Sequence, residues 1–259
     1  MELFPLDAHL FLGFLFALLR ISVILFLLPF FGGQGLPAPA KAALCLVLTV
    51  ALWPRLTNYG GELPAHPFSL ALILLGEVLL GLILGLVVRL IFAAIQTGGQ
   101  IIGFQMGFTM VNAIDPESGT SEAITAHFLY MTAALVFLAM NGHLVLLSGV
   151  IRSFDLIPPG RLLVSEALSQ NILQLSAGIF VTAIQIAAPV LAALLLVDLA
   201  LALVSRASPQ MNVLVMGFPI KTAVGFAFLV LLLELMALAM DAFVTDLPQT
   251  MSRMLGMMR

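Results

Sequence analysis

The chain is 259 residues long, 62% hydrophobic and only 9% charged, with a mean hydropathy of +1.18 and a net charge of −3. Soluble domains run near half apolar and about a quarter charged, and an interior of this size cannot hide the excess, so the composition is that of a membrane protein. The ten basic residues form no stripe, which argues against nucleic acid as a partner, and the single cysteine, Cys45, excludes an internal disulfide framework and a thiolate metal cage.

The start, "MELFPLDAHL", carries Glu2 and Asp7 where a signal peptide needs positive charge, so the first apolar run is expected to be retained. Leu10 to Phe31 is interrupted only by Arg20, and its 22 residues exceed the roughly 20 that span a bilayer. "GGQGLPAPAK" then breaks the chain, and Ala42 to Trp53 is a short apolar helix of about 18 Å, too short to cross alone. After the polar linker "PRLTNYGGELPAHP", Phe68 to Ile95 is apolar except for Glu77 and Arg89 and runs on through "QTGGQ". Ile124 to Ile151 holds no charge, only His127, Asn141 and His143 among apolar residues. Pro158-Pro159-Gly160 is the strongest boundary signal.

Ile172 to Val204 holds one charge, Asp198, and Val213 to Met240 holds two, Lys221 and Glu234; the methionine-rich tail from Asp241 is expected at an interface. The prediction is therefore all-α, a membrane-type protein of five long apolar helices and one short one. In lipid only helices or closed barrels satisfy the backbone, and ten-residue barrel strands are absent. Acidic residues at the N-terminus, with Arg253 and Arg259 at the other end, point to an N-out, C-in orientation. A 33-residue apolar helix reaches about 50 Å against a hydrocarbon core of about 30 Å. Either tilt or a break at Pro189 absorbs the excess, or apolar faces meet other protein.

Four constellations invite a functional reading. Gly99, Gly103 and Gly107 recur every four residues, a smooth stripe that admits a close backbone, with a partner subunit favoured as the neighbour. Gly81 and Gly85 repeat the pattern and are assigned to packing within the chain. Met106, Phe108 and Met110 add adaptable apolar surface just before a break at Asp115-Pro116. Irregular backbone at membrane depth is tolerated where it lines a cavity or is buried in protein, which suggests a gate. Asp198 and Lys221 are equidistant from the turn at Pro209-Gln210, so an antiparallel hairpin puts them at one depth, as a pair or shared with a partner chain.

His127 and His143 fall on opposite faces of one predicted helix with no carboxylate at ligand spacing, so a metal site is not expected; Asn141-Gly142-His143 is expected to hydrogen-bond between helices. Neither a nucleophile–base–orienter set nor a nucleotide fingerprint is present, so no cofactor and no enzyme activity are expected.

"GFQMGFTMVNAIDPESG", "FLAMNGHLVLLSGVIRSFDLIPPG" and "APVLAALLLVDLALALVSRASPQMNVLVMGFPIKTAVG" resemble, in that order, the FliR/SctT family of type III export components. The flagellar branch is favoured over the injectisome branch. The resemblance implies a single-copy subunit packed in a helical hetero-oligomer with several copies each of FliP and FliQ, beside an FlhB-type component. That assembly forms the channel entrance for unfolded flagellar proteins at the basal body in the bacterial inner membrane. It implies a FliP-like part over residues 1–160 and a FliQ-like hairpin with a tail over 161–259. It also implies an assembly lying largely above the bilayer plane, which removes the length conflict, with lipid a lesser neighbour.

The resemblance further implies that Met106, Gly107, Phe108, Thr109, Met110, Val111, Asn112, Ala113, Ile114, Asp115 and Pro116 form a plug, extending toward Gly119, that closes the channel to ions. The runner-up reading from another class is a small-molecule or ion permease using Asp198, Lys221 and Glu77. A third is an intramembrane acyl-transfer enzyme using His143.

Overall fold

Long apolar runs with few helix breakers leave the backbone little choice but to close its hydrogen bonds within each segment. In the structure, a computed structural model, residues 8–29, 31–32, 37–56, 66–108, 123–210 and 212–258 are described, and they form helices and no strand. In chain order these are α1 (Ala8–Leu27), α2 (Ala38–Leu56), α3 (Pro67–Met106), α4 (Ile124–Ala139), α5 (Gly142–Leu156), α6 (Glu166–Ala207) and α7 (Val213–Met257). Within α1, α3, α6 and α7 lie spans long and apolar enough to cross a membrane, and α4 with α5 makes a fifth if that broken pair counts as one.

Several boundaries differ from those expected. The first apolar run stops at Leu27, where the amides of Phe31 and Gly32 turn back onto the Leu28 carbonyl. α2 is longer than the predicted 42–53 because Ala38 to Lys41 joins its first turn, although its apolar part still ends at Pro54. The run from Ile124 does not stay in one helix. Asn141 takes a left-handed conformation (φ 57°), which Asn tolerates better than most side chains, and α5 restarts at Gly142. His127 and His143 consequently sit on separate helices, and the Asn141 side chain makes no capping bond.

α6 runs through Pro189 without ending there. Ala183, Ala187, Val190 and Leu194, all buried on one face, hold the helix on both sides of the proline. α7 continues through the methionine-rich tail, and Met251, Met254, Leu255 and Met258 are buried within the chain.

Packing divides the chain into two compact units, each described by itself. One comprises Met1–Leu90, Asn141–Leu175 and Val244–Arg259; the other comprises Ile91–Met140 and Ser176–Phe243. α3, α6 and α7 contribute residues to both.

The first unit is organised around Arg20, which is 0% exposed and is met by Glu77 at 1%. The guanidinium donates from Nε and Nη2 to the two Glu77 oxygens (2.7 and 2.9 Å), from Nη1 to Ser153 Oγ (3.0 Å) and from Nη2 to the Ile157 carbonyl (3.1 Å). Its Cζ also lies 3.9 Å from the centroid of the Phe154 ring. α1, α3 and α5 are thus tied at one buried charge. Gly81 and Gly85 bring α3 close to α1 beside it: a Cβ at Gly81 would come 2.8 Å from Val23 Cβ, and one at Gly85 2.5 Å from Leu27 Cδ1. That is the packing within the chain expected for this pair.

α2 packs on α1, with Phe14 and Trp53 edge to face. The N-terminus of α6 is capped by Ser165, whose Oγ accepts the Leu168 amide and donates to the Met257 carbonyl. Gly149 leaves room for the thioether of Met251, so the α7 tail seats directly on α5.

Arg20→Leu or Glu77→Leu alone strands a buried charge and should lower stability by about 3–5 kcal/mol, whereas the double variant should lose clearly less. Thermal unfolding of the full chain in detergent checks this; equal losses for single and double variants would contradict a paired role.

Candidate functional site

The expected plug begins where α3 ends, and the second unit holds that point from several sides. Toward its C-terminus α3 presents glycine for close contact. A Cβ at Gly99 would stand 2.5 Å from Ala126 Cα, and one at Gly103 2.6 Å from both Ala123 Cβ and Thr125 Oγ1. The Thr125 hydroxyl donates to the Gly99 carbonyl at 2.8 Å. These two glycines therefore meet α4 of their own chain, where a partner subunit was the favoured neighbour.

Gly107 does not continue the stripe, because α3 stops at Met106. Gly107 has φ 89°, its amide donates to the Phe104 carbonyl (3.1 Å), and the Phe108 amide donates to the Gly103 carbonyl (3.0 Å). This is the Schellman pattern, in which a left-handed glycine satisfies the last carbonyls of a helix. α3 is therefore closed by glycine well before Asp115-Pro116, the expected breakpoint.

Two apolar contacts fix the exit. Met106 is completely buried, and its thioether fills the space above Gly225 of α7, where a Cβ would lie 2.6 Å from Met106 Cε. The Phe108 ring stands edge-on to Phe218 (centroids 6.4 Å apart) and close to edge-on to Phe226 (6.1 Å). Both phenylalanines lie on α7, eight residues apart, so one helix face receives the departing chain. Thr109, Met110, Val111, Asn112, Ala113, Ile114, Asp115 and Pro116 lie outside the described residues, as does Gly119.

One helical turn from this exit is a polar contact on otherwise apolar helices. Lys221 Nζ of α7 lies 2.5 Å from Asp198 Oδ1 of α6, and Gln105 Nε2 of α3 donates to Asp198 Oδ2 at 3.0 Å. The hairpin arithmetic thus brings Asp198 and Lys221 together, although at 35% and 25% exposure the pair is not fully buried by this chain. Gln105 was not singled out from the sequence, and neither were Phe218, Phe226 and Gly225. An amide in an apolar run is the one signal that could have drawn attention to Gln105. Glu77, assigned to the permease reading together with Asp198 and Lys221, is instead consumed by Arg20 in the other unit. His143 Nδ1 is buried without a hydrogen-bond partner among the described residues, so the interhelical bond expected of it is not seen.

Against known proteins, the family model described as bacterial export proteins, family 1, matches residues 11–247. The chain belongs to this family. It is 34% identical to the flagellar biosynthetic protein FliR of Bacillus subtilis (strain 168), with 96% of each chain covered. Identity to the flagellar biosynthetic protein FliR of Escherichia coli (strain K12) is 32% over 85% of this chain and 84% of the relative. The surface presentation of antigens protein SpaR of Salmonella typhimurium is 31% identical over 83% of this chain and 79% of its own. With its membrane-length apolar helices, this member of the export family is a membrane protein.

Two measurements follow for this export protein. Lys221→Ala alone should damage folding yield more than the Asp198→Ala/Lys221→Ala double variant; a double-mutant cycle in detergent should give a coupling of about 0.5–3 kcal/mol, and additive losses would rule the pair out. Gly107→Ala, which puts a Cβ on a left-handed residue, should destabilise by about 1–2 kcal/mol. Gly178→Ala, at a helical glycine with open space around it, serves as the reference in the same unfolding assay.

Proposed function

We propose that the chain is one subunit of the flagellar type III protein export gate, in the bacterial inner membrane at the basal body. With several copies each of FliP and FliQ, and beside an FlhB-type component, it forms the channel entrance for unfolded flagellar proteins. Residues 1–160 act as the FliP-like part and 161–259 as the FliQ-like hairpin and tail. Its work is mechanical gating, with no covalent chemistry and no cofactor. The observation that carries this reading is the export-family match over nearly the whole chain.

Within that gate, Met106 to Pro116 is the plug. Its support is the way its stem is held: a helix closed by a left-handed glycine, a methionine seated above Gly225, and Phe108 against Phe218 and Phe226. A stopper needs a fixed root and a soft apolar body, and Met110, Val111 and Ile114 supply the latter. The likeness to SpaR keeps an injectisome component as the second reading.

Co-expression with the neighbouring export subunits should yield a stable hetero-oligomer; recovery as a lone chain would defeat the gate reading. Deleting Met110 to Asn112 in that assembly, reconstituted in vesicles, should raise ion leakage. Unchanged conductance would remove the stopper role.

A further inference from the structure

The inward side of α7 in the second unit is a stripe of Leu229, Leu232, Met236 and Met240, all buried. At 3.6 residues per turn Glu234 falls on the opposite side. It is exposed, and no hydrogen bond or ion pair reaches it among the described residues. The residues around it on that face are apolar and equally uncovered: Val230 is 67% exposed, Leu231 62% and Leu238 63%. Asp241, one heptad on, is exposed as well.

A lone carboxylate in the middle of an apolar helix is expensive to leave against lipid, and such groups face protein or water and pair with a counter-charge. Two pairs in this chain follow the rule, Arg20 with Glu77 and Asp198 with Lys221, while Arg89 of α3 is, like Glu234, exposed and without a partner among the described residues. Glu234 has the apolar collar of a helix-packing surface but lacks the cation.

We propose that the Val230–Leu238 face of α7 docks a helix of a neighbouring subunit that carries a single Lys or Arg in an otherwise apolar segment, with that cation set against Glu234. The two helices pack through Val230, Leu231 and Leu238, and the charge pair fixes their relative height, since a shift of one turn (about 5.4 Å) separates the ions. Apolar surfaces alone slide past one another with little penalty. One buried charge pair selects one register.

This inference rests on the reading of the chain as one subunit of a helical assembly, and the test separates the two. A photo-crosslinking residue replaces Leu238 in the full chain, which is co-expressed with its export neighbours, and the adduct is sequenced. The expected product joins Leu238 to an apolar helix of another subunit, within a turn of a Lys or Arg. Glu234→Lys should reduce both adduct and co-purified partner about tenfold or more, Glu234→Gln less, and changing the partner's cation to Glu should restore the Glu234→Lys complex. Unaltered assembly in Glu234→Lys overturns the proposal, as does a lipid adduct, a second copy of this chain, or a partner segment without a basic residue. A wild-type chain that assembles with nothing defeats the proposed function instead.

Discussion

A buried guanidinium sets the terms for the first unit. Arg20 has lost all contact with water, and the desolvation of both its charge and that of Glu77 is offset only because nearly every donor in its fork is occupied. Lysine could not replace it. A point charge has no planar fork to span both carboxylate oxygens, and no flat face to lie over Phe154. The geometry also depends on glycine. Glu77, Gly81 and Gly85 follow one another at intervals of four along α3, so the side chain that pairs with α1 and the gaps that let α1 approach share a single helix face. Close approach without the pair would leave two lone charges, and the pair without the glycines would be held apart.

The second consequence of composition lies outward. Burial covers half of the membrane-length window in α3 but only 22% of that in α6 and 28% of that in α7. The surplus apolar surface is therefore concentrated on the last two helices, with Leu195, Leu196, Leu199 and Leu203 on α6 and Val230 and Leu231 on α7 among the exposed residues. Lipid or sister proteins have to cover these faces. A family defined by protein export, and helices far longer than a bilayer is thick, favour proteins over much of that length.

Much of this was legible in the sequence where distance along the chain maps simply onto depth. Equal spacing from Pro209-Gln210 put Asp198 beside Lys221, and glycines four apart marked the α1–α3 contact. What escaped were contacts between segments with no common turn. Arg20 and Glu77 stood out as lone charges, but 57 residues separate them and no spacing rule joins them. The α4–α5 break was missed because Asn141-Gly142 lies in an unbroken apolar run, where hydropathy outvoted a dipeptide that marks turns. The packing of the tail escaped for a related reason. Nothing in the spacing of its methionines shows that Gly149 on α5 makes room for one of them.

Glycine also explains why the candidate gate begins where it does. Along one face of α3, Gly99 and Gly103 are needed small, because α4 backbone at Ala126 occupies the space a side chain at Gly99 would fill and the Ala123 and Thr125 side chains occupy that at Gly103. The next member of the series, Gly107, is needed for a different property, its freedom to adopt φ 89°. A stripe that looks uniform in sequence thus changes role within one turn, from tight packing to termination. The change falls where Met106 and Phe108 are already committed to α7, so α3 ends with its last side chains fastened. Gln105, on the turn before, adds the polar link from α3 to the Asp198–Lys221 pair of the hairpin. α3, α6 and α7 therefore converge at the C-terminal end of α3, where the apolar contacts of Met106 and Phe108 and the polar contacts of Gln105 lie side by side.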